Sequence, residues 1–473
     1  KFCGAKMSLA QDTIPTHSVK SILLRLPNWL GDSVMVSPAF EWLKQSFKNA
    51  DFTLVGTKAS CGIYERDSRV KHIFIDESKS AKCRIYAIKK LAKNVGIHDI
   101  SITFANTFFS ALFLFFSKSK VRIGYAKNAR SFLLTHALPL HHIKGTHQVH
   151  LYLKLIAPLE SVQQQAYKAY QDMLDSENEA EFLPQDSVQL HQWLERIEQL
   201  LLDYKSAPSL PFRLDLLPIL AKKPLSLISY PLNLATQNTQ DSQNIAIGIN
   251  PGAAFGSAKC WEKSYFVEII KHFLTLSYDV YLFGSSDTKG TNAQIADSIA
   301  SHSNARFFHN LTDKTNLNQL IDYINAMNVF ITNDSGPMHI AAALKVPMVA
   351  IFGPTNIKET APYKPTSLKK LPFLLHTNDD SIDSQFIESS AQDKDRATIT
   401  AQDSQQVSQD SHHAQNPYES CILLCKYVPC SPCKKRECPL KHHNCMKLIT
   451  PQEVITYTMN LLKNNEKRLS NDT

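Results

Sequence analysis

The chain has 473 residues, 43% of them apolar and 20% charged, a globular composition long enough for two domains with separate cores. Lys and Arg outnumber Asp and Glu by 51 to 43, a formal charge of +8, which favours anionic partners such as nucleotide phosphates or a phosphorylated glycolipid without choosing among them. No apolar run reaches the roughly 18 residues that a membrane-spanning helix needs, the nearest being Phe108 to Phe116 with a serine inside it.

Residues 1–20 lack the apolar centre of a secretory signal and read as a flexible leader on a cytoplasmic protein. Ser21 to Leu26 is a short apolar run with the character of a strand, and Ser33 to Phe47 sets Val34, Ala39, Phe40, Leu43 and Phe47 on one helix face. Further strands are expected at Phe52 to Val55, His72 to Ile75, Asp99 to Phe104 and Val121 to Tyr125, with segments such as Ala81 to Val95 long enough for helices between them. That alternation predicts a parallel sheet covered on both faces.

Between Ala157 and Gln243, Gln189 to Leu202 looks helical, and the prolines from Pro208 to Pro231 mark a connection between domains. A second series begins with a strand at Ile245 to Ile249. It continues with a helix at Ser264 to Leu276, a strand at Val280 to Phe283, a helix at Asn316 to Met327 and a strand at Val329 to Thr332. Met338 to Leu344 and Pro347 to Phe352 complete it. His376 to Asn416 is too poor in large apolar groups to offset the entropy of ordering and reads as a disordered insertion. Pro451 to Leu462 reads as a closing helix capped by Thr450. The fold class expected is therefore α/β, with two doubly wound halves.

Three segments carry candidate chemistry. Asn28-Trp29-Leu30-Gly31-Asp32 lies in the turn after the first strand, at the sheet edge where open α/β folds bind ligands. Asp32 there is either a general base or a helix cap. Asn250 to Trp261 follows the first strand of the second half; its small residues let backbone amides approach a phosphate and Lys259 adds a mobile positive charge, or else it is a plain loop with an exposed lysine. Thr332-Asn333-Asp334-Ser335-Gly336-Pro337-Met338-His339 runs from a strand into a helix that Pro337 starts well, leaving Ser335, Gly336 and the free amides as an anion site. Gly284 and Ser285 form a shorter loop on the same edge. His339 is either a ligand contact or a packed helix-face histidine.

At these spacings the chain resembles the lipopolysaccharide heptosyltransferases, in the heptosyltransferase II branch of glycosyltransferase family nine. The motifs that carry the resemblance stand in order: NWLGD at 28–32, NPGAAFGSAKCW at 250–261, LFGSS at 282–286, TNDSGPMHIAAAL at 332–344 and FGPT at 352–355. The resemblance implies a GT-B architecture, two Rossmann-like parallel-sheet domains facing a cleft. The acceptor side would be 21–215 and the ADP-sugar side 216–375, followed by the insertion at 376–416 and a cysteine-rich segment with the closing helix at 417–473. It also implies inverting transfer of heptose from ADP-L-glycero-D-manno-heptose to a lipid A-Kdo-heptose acceptor at the cytoplasmic face of the inner membrane, the enzyme being peripheral to that membrane. Asp32 matches the catalytic base and Lys259 the lysine that meets the donor phosphates. Gly31, Gly284, Ser285, Asp334, Ser335, Gly336, Met338 and His339 match the donor-binding set. No cofactor or catalytic metal is implied, because Lys259 and helix-end amides balance the leaving diphosphate. Ala254 and Cys260 depart from the acidic residue and the arginine usual at their places.

Six of the ten cysteines crowd into 421–445. Cys430, Cys433, Cys438 and Cys445, with His442 and His443 nearby, suit either a structural thiol cluster or a metal site. Competing readings are a heptosyltransferase acting at another core position, another family-nine sugar transferase, and a nucleotide-sugar epimerase. The Lys434-Lys435-Arg436 run reads as a solvated face, and no nucleic-acid partner is expected.

Overall fold

The computed structural model describes residues 14–16, 18–140, 146–162, 164–165, 245–362 and 421–471, the side chains of 465–471 excepted. The proline-rich connection, the helix expected at 189–202 and the insertion at 376–416 lie outside the described residues.

The first half is a six-stranded parallel sheet of β1 (Ser21–Arg25), β2 (Asp51–Gly56), β3 (Val70–Ile75), β4 (Ile100–Thr103), β5 (Val121–Tyr125) and β6 (His136–Leu138). The second repeats it with β7 (Ala246–Asn250), β8 (Asp279–Leu282), β9 (Phe308–Asn310), β10 (Val329–Asn333), β11 (Met348–Phe352) and β12 (Cys421–Cys425). The strand orders are β3-β2-β1-β4-β5-β6 and β9-β8-β7-β10-β11-β12. In each, the order reverses beside the first strand, which is the switch point where doubly wound sheets bind ligands. β7, β10, β11 and β12 are buried along their whole length, as strands covered on both faces must be.

Helices cover the first sheet as α1 (Leu30–Met35), α2 (Ser37–Ser46), α3 (Lys58–Gly62), α4 (Arg84–Val95), α5 (Phe108–Phe116) and α6 (Gln148–Ile156). The helix expected at 33–47 is thus two helices, α1 and α2, meeting at Val36, with Pro38 in the first turn of α2. The second sheet carries α7 (Lys263–Thr275), α8 (Lys289–Ile299), α9 (Leu317–Ala326), α10 (Gly336–Ala343), α11 (Ile357–Thr360), α12 (Asn444–Lys447) and α13 (Pro451–Asn471). Thr450 and Glu453 exchange backbone hydrogen bonds of 3.3 and 2.8 Å at the start of α13, the reciprocal capping arrangement.

The cysteine-rich segment joins the second sheet: Cys421 to Cys425 pairs in register with Met348 to Phe352 as its edge strand. Cys445, Met446, Val454 and Leu461 enter the same core as Phe266 and Phe273. Part of the expected leader is also anchored, since Ile14 is 2% exposed and bridges to Leu159, while Thr16 bonds Glu160 and Ser161.

Candidate active site

The loops after β1, β7 and β10 emerge at the two switch points and converge. In the first half, the buried guanidinium of Arg25 pairs with Asp76 at 2.8 Å and donates to Asn28 Oδ1 at 3.1 Å. It ties the start of the loop to the sheet edge. Trp29 caps α1 in an extended conformation, 49% exposed, and Asp32 falls in the helix's first turn. The helix end favours a carboxylate there, yet burial pushes the Asp32 carboxyl up to about 6, assisted by Asp334 and opposed by Lys259. Both of those charges come from the other half, so the cleft closes around this one group. A carboxyl that titrates near neutrality is suited to accept a proton from a hydroxyl.

In the second half, two buried carboxamides hold the loop after β7 against the turn after β10. Asn333 Nδ2 donates to the Pro251 carbonyl at 2.6 Å while its Oδ1 accepts from Trp261 N at 3.3 Å. Asn250 Nδ2 lies 3.1 Å from both the Gly252 carbonyl and Ser335 Oγ. The loop ends in Lys259, whose Nζ sits 2.6 Å from Oδ2 of the buried Asp334, the lysine side chain itself being largely covered. Thr355 donates to the same oxygen at 2.5 Å. Asp334 therefore aims and neutralises the lysine. Gly256, at φ +155°, is the other requirement of this loop: a Cβ there would lie 2.3 Å from the Arg436 carbonyl.

The halves touch at the starts of α1 and α10. A Cβ on Gly31 would fall 2.7 Å from His339 Cδ2, and one on Gly336 would meet the Leu30 side chain at 3.0 Å. The glycines are what let the two helix ends, and hence Asp32 and the Asp334 turn, come together. His339 is 4% exposed, and burial drives its imidazole down to about 4, so it packs as a neutral group. Arg66 of the first half grips Asp322 of α9 with its two terminal nitrogens, at 2.6 and 2.9 Å, and His147 Nε2 pairs with the Ala361 carbonyl at 2.9 Å.

The structure thus brings together Gly31, Asp32, Lys259, Asp334, Ser335, Gly336 and His339. Gly284 and Ser285 stand on the loop after β8, next to the Gly252 loop, because Thr288 packs against both glycines. The Met338 side chain is fully buried in the core, because it is the first apolar position of a helix laid on the sheet. Thr355, Asn250 and Asn333 were not singled out as site residues, though each stands in one of the quoted motifs.

The cysteine segment has a structural task at this site. The Ala258 amide donates to the Arg436 carbonyl at 2.9 Å, and His443 Nε2 lies 2.9 Å from the Ala258 carbonyl. The Phe255 ring has the Lys259 ammonium 5.0 Å and the Arg436 guanidinium 5.7 Å from its centroid. Ser431 Oγ donates to Gly353 and the Lys434 amide to Pro354, each at 2.7 Å. The segment therefore buttresses the lysine loop and the FGPT turn. Its described cysteines are free thiols. Cys430 Sγ approaches His442 Nε2 at 3.7 Å, and among the described residues no set of three or more His, Cys, Asp or Glu side chains is arranged to hold a metal ion.

Two facing doubly wound domains, with a recessed carboxylate on one side and a lysine held between two loops on the other, make up the GT-B architecture. The glycosyltransferase family 9 (heptosyltransferase) pattern matches residues 88–194 and 217–371. The lipooligosaccharide heptosyltransferase 2 of Campylobacter jejuni subsp. jejuni serotype O:2 is 30% identical over 444 residues, 94% of this chain and 99% of the relative. The lipopolysaccharide heptosyltransferase 2 of Escherichia coli K12 is 37% identical over 134 residues, 28% of this chain and 37% of the relative. Among solved structures, ADP-heptose LPS heptosyltransferase II of E. coli shares the fold at a TM-score of 0.57 and 20% identity, over 94% of this chain and 99% of that one. The chain belongs to glycosyltransferase family 9, on the heptosyltransferase II branch, and is a glycosyltransferase.

Proposed function

We propose that the protein transfers heptose from ADP-L-glycero-D-manno-heptose, with inversion, to the inner core of lipopolysaccharide, its acceptor being lipid A-Kdo already carrying one heptose. The observation that carries this reading is Asp32, titrating near 6, set across the cleft from the Lys259–Asp334 pair. In the reaction, the acceptor hydroxyl oxygen forms a bond to the anomeric carbon as the bond from that carbon to the ADP oxygen breaks. The hydroxyl proton passes to Asp32. Attack from the face opposite ADP inverts the centre in one displacement. The diphosphate gains charge as it leaves, and Lys259 with the amides at the start of α10 stabilises it more than it stabilises the bound donor. Ser335, Gly336 and the Gly284–Ser285 loop complete the donor contacts, and Trp29 and the Asp32 loop face the acceptor.

The two relatives named above are heptosyltransferases 2, and their likeness supports the second-heptose acceptor. Such an acceptor would place the enzyme at the cytoplasmic face of the inner membrane. Among the described residues no helix is long and apolar enough to cross a membrane, which fits peripheral attachment. The test is to incubate the protein with ADP-heptose and two acceptors, one free of heptose and one bearing a single heptose, and to follow ADP release and product mass. Transfer to the singly substituted acceptor alone is expected. Transfer to the heptose-free acceptor alone would move the enzyme to the first heptose, and transfer to neither would overturn the assignment.

A further inference from the structure

Charge in this chain is unevenly distributed. Residues 78–159 carry thirteen Lys and Arg and a single acid, Asp99, although the whole chain has a net charge of only +8. Four of these cations, Arg84, Lys89, Lys90 and Lys93, stand on α4, and Lys118 and Lys120 follow α5. α4 turns Ile88 and Ala92 onto the sheet and points Tyr86, Lys89, Lys90 and Lys93 outward, one helix face at three- and four-residue spacing. Lys118, Lys120 and Lys127 are likewise exposed. Among the described residues, Lys120 has a loose contact with Asp99 at 3.8 Å, and the three α4 lysines have no ion-pair partner.

Large apolar side chains stand among these cations. Tyr86 is 69% exposed, Phe132 74%, Ile85 54% and Phe115 45%. Phe132 belongs to a connected group: the Arg84 guanidinium lies 3.8 Å over the Phe109 ring, and Phe108 has its ring centroid 5.9 Å from Phe109 and 6.4 Å from Phe132. α4 and α5 begin at the carboxyl ends of β3 and β4, the same sheet edge from which the Asp32 loop rises. The aromatic group is therefore on the cleft side of the face, and the lysines run away from it.

We propose that this face docks on a bilayer containing anionic phospholipid, with the aromatic group at headgroup depth beside the cleft and the lysines over the charged surface. A bilayer interface accommodates both components, because aromatic rings partition to the headgroup level while Lys and Arg gain from the negative surface potential. A polyanion such as RNA would use the cations and leave Ile85 and Phe132 unexplained. Docking in this orientation brings the cleft edge to the membrane, where a lipid-linked sugar presents its hydroxyls. The inference rests on the glycolipid acceptor proposed above.

The experiment is flotation of the full chain with phosphatidylcholine vesicles, with and without phosphatidylglycerol and without any acceptor, at low and high salt. Wild-type protein should float with the anionic vesicles at low salt. The triple variant Lys89→Gln, Lys90→Gln, Lys93→Gln should bind them about a hundredfold more weakly, from the contribution of a basic side chain near such a surface. Tyr86→Ser with Phe132→Ser should weaken binding at both salt concentrations. All variants should transfer sugar to a lipid-free core oligosaccharide at the wild-type rate. Flotation of either variant like wild type, absence of wild-type binding, or equally tight binding to RNA that the aromatic changes leave untouched would each overturn the docking surface. Failure of every protein on the oligosaccharide, with the vesicle results intact, would instead count against the proposed reaction.

Discussion

Replacing Asp32 by asparagine should abolish transfer and make the protein more stable. The carboxyl moves from 3.8 up to about 6, chiefly by burial, so the folded state holds this proton more tightly than the unfolded chain does. Stability therefore falls as pH rises through that window and stays reduced above it. At about 1.4 kcal/mol for each tenfold change in proton affinity, the loss is at most about 3 kcal/mol. Asparagine is neutral at every pH and escapes it. Lys259 still has Asp334 at 2.6 Å, so the substitution strands no buried cation. For domains of this size each kcal/mol moves the melting temperature by about 2–4 °C. Thermal unfolding of both proteins at pH 4, 6 and 8 should show the variant several degrees more stable at pH 8, with the gap closing toward pH 4. A variant no more stable than wild type at pH 8, or a gap independent of pH, would refute the burial argument.

The same carboxyl must be ionised to accept a proton, so log kcat/KM should fall with unit slope as pH drops below about 6; a flat acid limb would remove Asp32 as the base. Lys259→Ala should lower kcat/KM by a hundredfold or more and destabilise by about 3 kcal/mol, since it leaves Asp334 buried without its cation. Adding Asp334→Ala should restore melting temperature but not activity. Gly31→Ala must push against His339 Cδ2 at 2.7 Å, costing about 1–3 kcal/mol, and His339→Ala in the same chain should recover that stability as read by denaturant unfolding. Transfer should persist in excess chelator, because Lys259 and the α10 amides supply the positive charge at the diphosphate; loss of activity restored by a divalent cation would contradict this.

Much of the architecture was legible because its strands are short apolar runs buried on both faces, as at Ser21 to Leu26 and Pro347 to Phe352. The strands that escaped notice each have a local cause. His136–Leu138 and Phe308–Asn310 are three residues long and half-buried, too short for any periodicity. Cys421–Cys425 reads CILLC, and its cysteines drew it into a ligand-like cluster although it is an apolar edge strand. Asp32 and Lys259 were visible as candidates from their places after first strands. That Asp334 holds Lys259, that Thr355 holds Asp334 and that Arg436 braces Ala258 were not, since these pairs are joined only by folding. The surroundings of Asp32, burial together with the Lys259 and Asp334 charges brought from the other half, are likewise encoded by no spacing. His339 packs against Gly31 in the fold, a contact that its place in the motif does not encode.

The account stands most directly on the stereochemistry of transfer. Incubating wild-type protein and Asp32→Asn with ADP-heptose and the singly heptosylated acceptor, and reading ADP release, product mass and anomeric configuration by NMR, joins the reaction to the residue. The account predicts one ADP released for each heptose added, inverted configuration at the new linkage, and no product from a folded Asp32→Asn. Retained configuration, or undiminished transfer by that variant, would contradict it.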